Sequence, residues 1–574
     1  MCKTRTIIVC AMVALVWTAF SRDAVAQPAA PTVHVDGNVN NPGQGDDWGE
    51  GHAYKYLQDG LSKAAWYVDP DGGGYDSAEV WVAAAEDPYR PSATVDRDAS
   101  FHLVNGIELY GGFAGHEAEL NDRNIFQNIT ILSGDLEDDD DQPNGDMLDN
   151  CYHVITTAVL GVVDCRIDGF VIQAGNADGT SLTDPESDSG GGMLAACKTI
   201  AIVNCTFKDN LAGCTDPFED RTKGHGAALY IKAPPGTPAE PVPGPEIVDC
   251  TFLNNTALWG GRGGGLKVAN GGLVHLTNCL FAWNEAGSGE YASGWGGAIL
   301  NEANIELTNC TLANNTAVSG AGSSQGGGLH CRAAGQSFQA TLYNCIFWAN
   351  VAAEGHEIFL GSPCGDPETP GLIVDYADIQ GGEAGIGGYD PDCVDWGDGN
   401  LDPPEDPMFG NPSANPPNYR LRTGSPCIDA GDPNESIIPA DGYDVDGDDD
   451  DTERTPDLDH RDRILHGGDG LVVDMGAYEH YADCVGDLDG DQLVNTADLL
   501  ILLGNWGTSG PGDLDGNGVV NTADLLTLLG NWGPCGRVGA VSPPQSVQDC
   551  ISRYLGDPVK LEACIEGMIR AGTP

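Results

Sequence analysis

Oxygen-bearing side chains recur at fixed spacing twice near the C-terminus. Residues 486–506 read GDLDGDQLVNTADLLILLGNW and residues 512–532 read GDLDGNGVVNTADLLTLLGNW, the same string with four substitutions. Counted from the first aspartate after the glycine, each copy has oxygen donors at loop positions 1, 3, 5, 7, 9 and 12. In the first copy these are Asp487, Asp489, Asp491, the Leu493 carbonyl, Asn495 and Asp498; in the second, Asp513, Asp515, Asn517, the Val519 carbonyl, Asn521 and Asp524. Hard oxygens at that spacing are a calcium donor set, so the doublet predicts two bound Ca2+ ions. Each loop leads into a short apolar run, ADLLILL or ADLLTLL, ended by Gly504 or Gly530, which predicts a helix after each loop and none before it. Position 6 is Gly518 in the second copy but Gln492 in the first, where the sharp turn normally uses glycine, so the first site is expected to be the weaker.

A second acidic run, Asp444, Asp446, Asp448 and Asp450, alternates without the rest of a defined loop; it offers calcium ligands but no complete site. Acid–base chemistry has its candidates further upstream, in Lys232, Lys267, Glu302, His330 and Arg332. A base and a cation held beside a uronate are what a β-elimination lyase requires, and this set could supply the base. The competing expectation is a solvated, charged sheet face.

Whether those five residues meet depends on the repeats that carry them. Between residues 164 and 350 an Asn/Asp-Cys pair recurs six times, in VVDCRI, IVNCTFKDN, IVDCTFLNN, LTNCLFAWN, LTNCTLANN and LYNCIFWAN. A glycine phrase alternates with it: GGGML at 190, GHGAALY at 224, GGGLKV at 263, GGAILN at 296 and GGGLHC at 326. The period of about 30–45 residues is that of a stacked repeat array. Inside one period Ile200 and Ile202 alternate before Asn204, as Ile305 and Leu307 do before Asn309, which is strand periodicity. Each Asn then falls where the chain turns, since Asn tolerates positive φ and its amide can bond the Asn of the next coil. The predicted architecture is mainly β: a right-handed parallel β-helix of three short strands per coil, followed by a small α-helical calcium-binding domain. Aligning the glycine phrases puts Met193, Leu229, Leu266, Ile299 and Leu329 in an inward column and Leu194, Tyr230, Lys267, Leu300 and His330 in the adjacent outward one. Two residues on, Ala196, Lys232, Ala269, Glu302 and Arg332 form a second outward column.

The GGAIL phrase and the series FKDN, FLNN, FAWN and FWAN resemble the repeats of polymorphic outer-membrane proteins, which share the pectin-lyase-like β-helix. FHLVNGIELYGGFAG at 101–115 and TILSGD at 130–135 resemble the first rungs of bacterial extracellular β-helix proteins, and SPCIDAGDP with VDMGAYEH resembles their closing section. The resemblance covers about residues 32–480 and implies architecture, not activity. Gly224-His225-Gly226 is similar to a polygalacturonase motif, but no Asn-Thr-Asp precedes it and no Arg-Ile-Lys follows.

The remaining sequence divides accordingly. Lys3 and Arg5 precede an apolar run from Ile7 to Phe20 and small residues before Gln27, which predicts a signal peptide over 1–26 and a secreted or cell-surface bacterial protein. Residues 32–380 form the β-helix, with AYKYLQDGLSKAA at 53–65 as a capping helix ahead of a first coil at EVWVAAA. Residues 381–480 form a loop-rich acidic section that closes the other end, residues 484–535 the doublet, and residues 536–574 a linker and helical-hairpin tail. With 86 acidic against 26 basic side chains the net charge is −60, which excludes nucleic acid as a partner and favours cations. Removal of Cys2 and Cys10 leaves 17 of 19 cysteines in an oxidising compartment. Cys205, Cys250, Cys279, Cys310 and Cys345 are expected as stacked buried thiols, and Cys550 and Cys564 as a disulfide across the tail hairpin.

Loop-then-helix units used twice, with Asn at position 9 and Asp at 12, resemble a type I dockerin over about 484–535. That resemblance implies a cohesin-like partner chosen by loop positions 10 and 11, here Thr496 and Ala497, then Thr522 and Ala523. Identical pairs in both copies imply two near-equivalent docking orientations. Cys484 and Cys535 bracket the unit and would staple its ends. The sequence therefore predicts a non-catalytic surface or matrix protein that docks through its C-terminus, with a tethered polysaccharide-degrading enzyme, a lyase or glycosidase, as the alternative.

Overall fold

The computed structural model describes residues 30–570 except 141–146, 158–164, 180–186, 198, 214–223, 233–243, 270–272, 289–292, 320–322, 334–337, 362–370, 389–390, 433, 435–436, 449–452, 464, 468–469, 482–483, 490–492, 515–517, 536–542 and 555–557. The expected signal peptide, with Cys2 and Cys10, lies outside the described residues, as do Asp450, Asp491, Asp515 and Asn517. No described helix is long and apolar enough to cross a membrane.

The body is a solenoid of parallel strands. Four sheets build it, with eleven, eight, eight and five strands among the described residues, the last spanning only the middle coils. One coil visits them in turn: Met193–Ala195 in the second sheet, Ala201–Val203 in the first, Thr206–Lys208 in the third and Leu211–Ala212 in the fourth. The fourth, short strand corrects the expectation of three per coil. It arises where small residues follow the second asparagine of each repeat, and Ala177, Ala212 and Ala257 pack together there.

Two asparagine ladders set the corners. Asn204, Asp249, Asn278, Asn309 and Asn344 all have φ between 51° and 53°. Asn278 donates to Asp249 Oδ1 at 2.9 Å, Asn309 to Asn278 Oδ1 at 3.2 Å and Asn344 to Asn309 Oδ1 at 2.9 Å. The second ladder is buried: Asn210, Asn255, Asn284, Asn315 and Asn350 each donate Nδ2 up the stack, with Asn255 to Asn284 Oδ1 and Asn284 to Asn315 Oδ1 both 2.9 Å. At the glycine corner Gly263 has φ 71°, and a Cβ there would lie 2.1 Å from the Leu266 carbonyl oxygen, so no other residue fits.

The core follows from these columns. Phe207, Phe252 and Phe281 stack with ring centroids 5.1 and 4.3 Å apart and planes within 2° of parallel. Cys205, Cys250, Cys279, Cys310 and Cys345 follow on successive coils as buried free thiols, Cys250 donating to the Ile202 carbonyl and Cys279 to the Ile247 carbonyl, each at 3.4 Å.

Both ends of the body differ from expectation. A helix, Leu57–Val68, packs its Leu57, Gly60, Leu61 and Ala64 face on the end of the core. It does not precede the first strand, however: Thr32–Val35 comes earlier and pairs in parallel with Ala78–Ala83, so the helix is a crossover inside the first coil. At the other end, the last strand of the first sheet is Val394–Trp396. Beyond it the chain turns back and runs along the flank of the solenoid over the first asparagine ladder. Asp432 N donates to Asn344 Oδ1 at 2.8 Å, Asn278 Nδ2 to the Pro456 carbonyl, His460 Nε2 lies 3.0 Å from Asn204 Oδ1, and Asn121 Nδ2 donates to Asp444 Oδ2 at 2.8 Å. Along the chain the contacts pass from a late coil at Asp432 to an early one at Asp444, then back over Asn278 and Asn204 to Asn344, to whose carbonyl Gly476 N donates at 2.7 Å, so this section is a strap that runs along the flank and doubles back.

Candidate functional site

The sheet register brings the proposed outward columns together. Tyr230 pairs with Lys267, Lys267 with Leu300 and Leu300 with His330, while Lys232 lies opposite Ala269 in the next column. Lys267 Nζ stands 3.6 Å from Glu302 Oε2, and Arg332 Nε is 2.9 Å from Glu302 Oε1, a charge contact without hydrogen-bond alignment.

A neighbouring column, absent from the sequence expectation, completes the cluster. His225, Arg262, Trp295, Gln325 and Glu354 bridge in register, each occupying the variable slot before the positive-φ glycine of its repeat. The Arg262 and Arg332 guanidinium carbons sit 4.7 and 5.1 Å from the Trp295 ring centroid, and the Trp295 and His330 rings stack at 5.4 Å. That slot was the available sequence signal: a phrase that is otherwise glycine carries His, Arg, Trp, Gln and Glu in turn.

The strip is consequently not a solvated face. Lys267 is 4% exposed, and Glu302, Tyr230 and His330 are buried with it. Burial lowers the Lys267 pKa to about 8, with Glu302 opposing the shift. Burial likewise pushes His330 down to about 3, so its ring is neutral. The balance is three cations to one carboxylate, within a chain of net charge −60. Arg262 forms no ion pair among the described residues. Such a cluster attracts an anion, and Lys267 is the group in it that burial brings to titrate near pH 8, where its amine can take up a proton.

The doublet forms a second, separate site. Helices Thr496–Gly504 and Thr522–Gly530 are N-capped by Asn495 and Asn521, whose side chains accept from Ala497 N at 2.7 Å and Ala523 N at 2.8 Å. The position-12 carboxylates complete reciprocal capping boxes: Asp498 accepts from Asn495 N at 2.7 Å and Asp524 from Asn521 N at 2.8 Å. Both are fully buried, and their other oxygens accept from Leu488 N at 2.6 Å and Leu514 N at 2.8 Å, closing each loop on itself.

Ligand oxygens of Asp487, Asp489 and Asp498 lie within 4.8 Å of one another, the spread of donors around one calcium ion. In the second loop Asp513 Oδ2 accepts from Gly518 N at 2.8 Å, while its buried Oδ1 has no hydrogen-bond partner. A convergent set of hard oxygens with an unsatisfied carboxylate oxygen fits a calcium ion.

The two copies have unequal surroundings. Disulfides join Cys484 to Cys535 and Cys550 to Cys564. The tail forms helices Gln545–Tyr554 and Pro558–Arg570, and the latter packs on helix 496–504. Val547, Leu561 and Ile565 join Leu499, Leu502, Leu525 and Leu528 in one core. Leu500 is thereby partly covered, whereas its counterpart Leu526 is 58% exposed. Thr522 and Ala523 are exposed; Ala497 is exposed and Thr496 half-buried. Arg461, buried with Asp457 and Asp459, donates to the Cys535 carbonyl at 2.6 Å and so ties the doublet to the strap. Neither protein-family models nor curated proteins give any match to this chain.

Proposed function

We propose that this is a secreted, modular bacterial protein whose solenoid is a non-catalytic display body and whose C-terminal doublet is a type I dockerin, loaded with two Ca2+ ions, that docks onto a cohesin-like module. The observation that carries the reading is the duplicated helix with a buried position-12 carboxylate closing each loop. The parallel sheets support a pectin-lyase-like body, and the near-universal right-handedness of parallel crossovers supports its hand. The apolar N-terminal run and the Cys484–Cys535 and Cys550–Cys564 disulfides support secretion.

Thr496, Ala497, Thr522 and Ala523 are the partner-reading residues in this proposal, and the tail makes the two helices unequal. Docking through helix 522–530 is favoured because helix 496–504 carries the tail. With calcium present, Thr522→Asp is expected to weaken capture by type I cohesin modules by at least about 30-fold, roughly 2 kcal/mol, and Thr496→Asp by less than about threefold. Biolayer interferometry with both variants measures this; equal effects would show that the tail leaves the copies equivalent.

The cation cluster favours a second reading, an extracellular lyase or glycosidase acting on an anionic polysaccharide. Lys267 would then be the base and Arg332 the uronate's counter-charge, with Lys232, Glu302 and His330 positioning them. Because only the neutral amine accepts a proton, activity should rise with pH through a midpoint of about 8. Screening acidic polysaccharides for unsaturated products tests this, and activity surviving both Lys267→Ala and Arg332→Ala would place the site elsewhere.

A further inference from the structure

We propose that Asp441, Asp446 and Glu453 bind a third calcium ion, which pins the tip of the returning strap to the flank of the solenoid. Ligand oxygens of these three residues lie within 4.8 Å of one another, and Asp446 belongs also to a second such group with Asp444 and Asp448. The donor set is therefore not the alternating run alone. It is assembled by an antiparallel bridge between Ala440 and Arg454, with Asp441 N donating to the Glu453 carbonyl at 3.0 Å, which brings Glu453 back over the turn.

The observation that points to a cation is Asp441 itself. It is 1% exposed, its Oδ2 accepts from Val445 N at 2.8 Å, and its Oδ1 is buried without any hydrogen-bond partner. Asp446 Oδ1 is buried and unpartnered in the same way. An unsatisfied carboxylate oxygen buried beside two further carboxylates carries a large desolvation cost, and none of the three residues forms a salt bridge among the described residues. At that spacing the three carboxylates repel one another. A hard divalent cation offsets that repulsion, and an all-carboxylate set with flexible geometry suits calcium.

The position gives the ion its consequence. Val445, inside the turn, is buried against Ala201, Val203 and Val248 of the first sheet. Asn204 Nδ2 donates to the Val445 carbonyl at 3.1 Å, Arg166 to the Tyr443 carbonyl at 2.7 Å, and the Tyr443 hydroxyl to Glu246 at 2.7 Å. Calcium bound to the turn thus stiffens the segment that carries every one of these contacts.

The test uses the full chain with Asp498→Ala and Asp524→Ala, stripped with chelator and titrated with CaCl2 by calorimetry. One residual calcium site is expected, lost when Asp441→Asn and Asp446→Asn are added, together with a calcium-dependent gain in amide-exchange protection over 441–448. Absence of a residual site, or one that survives those substitutions, would overturn the proposal. Should the quadruple variant lack its parent's sheet circular dichroism, exchange in the parent decides: protection over 441–448 that requires calcium supports the site, and protection indifferent to calcium overturns it.

Discussion

Replacing both Asp498 and Asp524 with Ala is expected to abolish docking, lowering affinity for a cohesin module by at least about 100-fold, the equivalent of about 2.8 kcal/mol. Each carboxylate does two things at once. In the proposed calcium loop it would be the final ligand, and it holds the loop's first turn and the helix start together through Leu488 N and Asn495 N, or Leu514 N and Asn521 N. Its removal leaves at least two amides per copy without their acceptor, at about 1–3 kcal/mol each where water cannot replace it. On the proposed reading, a metal would then no longer organise the loop that presents residues 496–497 and 522–523. The solenoid, with a separate core, should retain its sheet signal in circular dichroism; loss of that signal would mean the doublet and body fold as one unit.

The second large effect belongs to the body. Asn284 uses all of its hydrogen-bonding capacity inside the stack. Its Oδ1 accepts from Asn255 N at 3.1 Å and Asn255 Nδ2 at 2.9 Å, and its Nδ2 donates to the Phe252 carbonyl at 2.8 Å and to Asn315 Oδ1 at 2.9 Å. Asn284→Asp keeps the shape but replaces both donors with acceptors, pointing a charge at two oxygens in a fully buried site. A cost of about 4 kcal/mol is expected, against about 2 kcal/mol for Asn284→Ala. Equilibrium urea unfolding checks the order; an Asp variant as stable as the Ala variant would show that the ladder opens to water.

The sequence columns proved readable where one rule repeats in every coil. Alignment of the glycine phrases placed Met193, Leu229, Leu266, Ile299 and Leu329 in one register, and the preference of Asn for positive φ located the corner at 204, 278, 309 and 344. Features that occur once were not readable. Thr32–Val35 has no repeat phrase around it, and a helix and several turns separate it from its partner strand. The strap contacts coils hundreds of residues earlier, as Tyr443 does Glu246, so no local period records its path. In the cation cluster Lys267, Glu302 and Arg332 were placed by register, but Arg262 and Trp295 escaped because glycine slots were read only for their backbone. The doublet's helices follow their spacing, while the tail that breaks their symmetry joins them through burial of Val547, Leu561 and Ile565.

The central claim, calcium-dependent docking through the doublet, is tested most directly by capturing the intact chain on immobilised type I cohesin modules while free calcium is set with a chelating buffer. The account predicts saturable capture at millimolar calcium, complete release on chelation, and recapture when calcium is restored. Capture that persists in chelator, or none by any cohesin once calorimetry shows the doublet loaded, would contradict it.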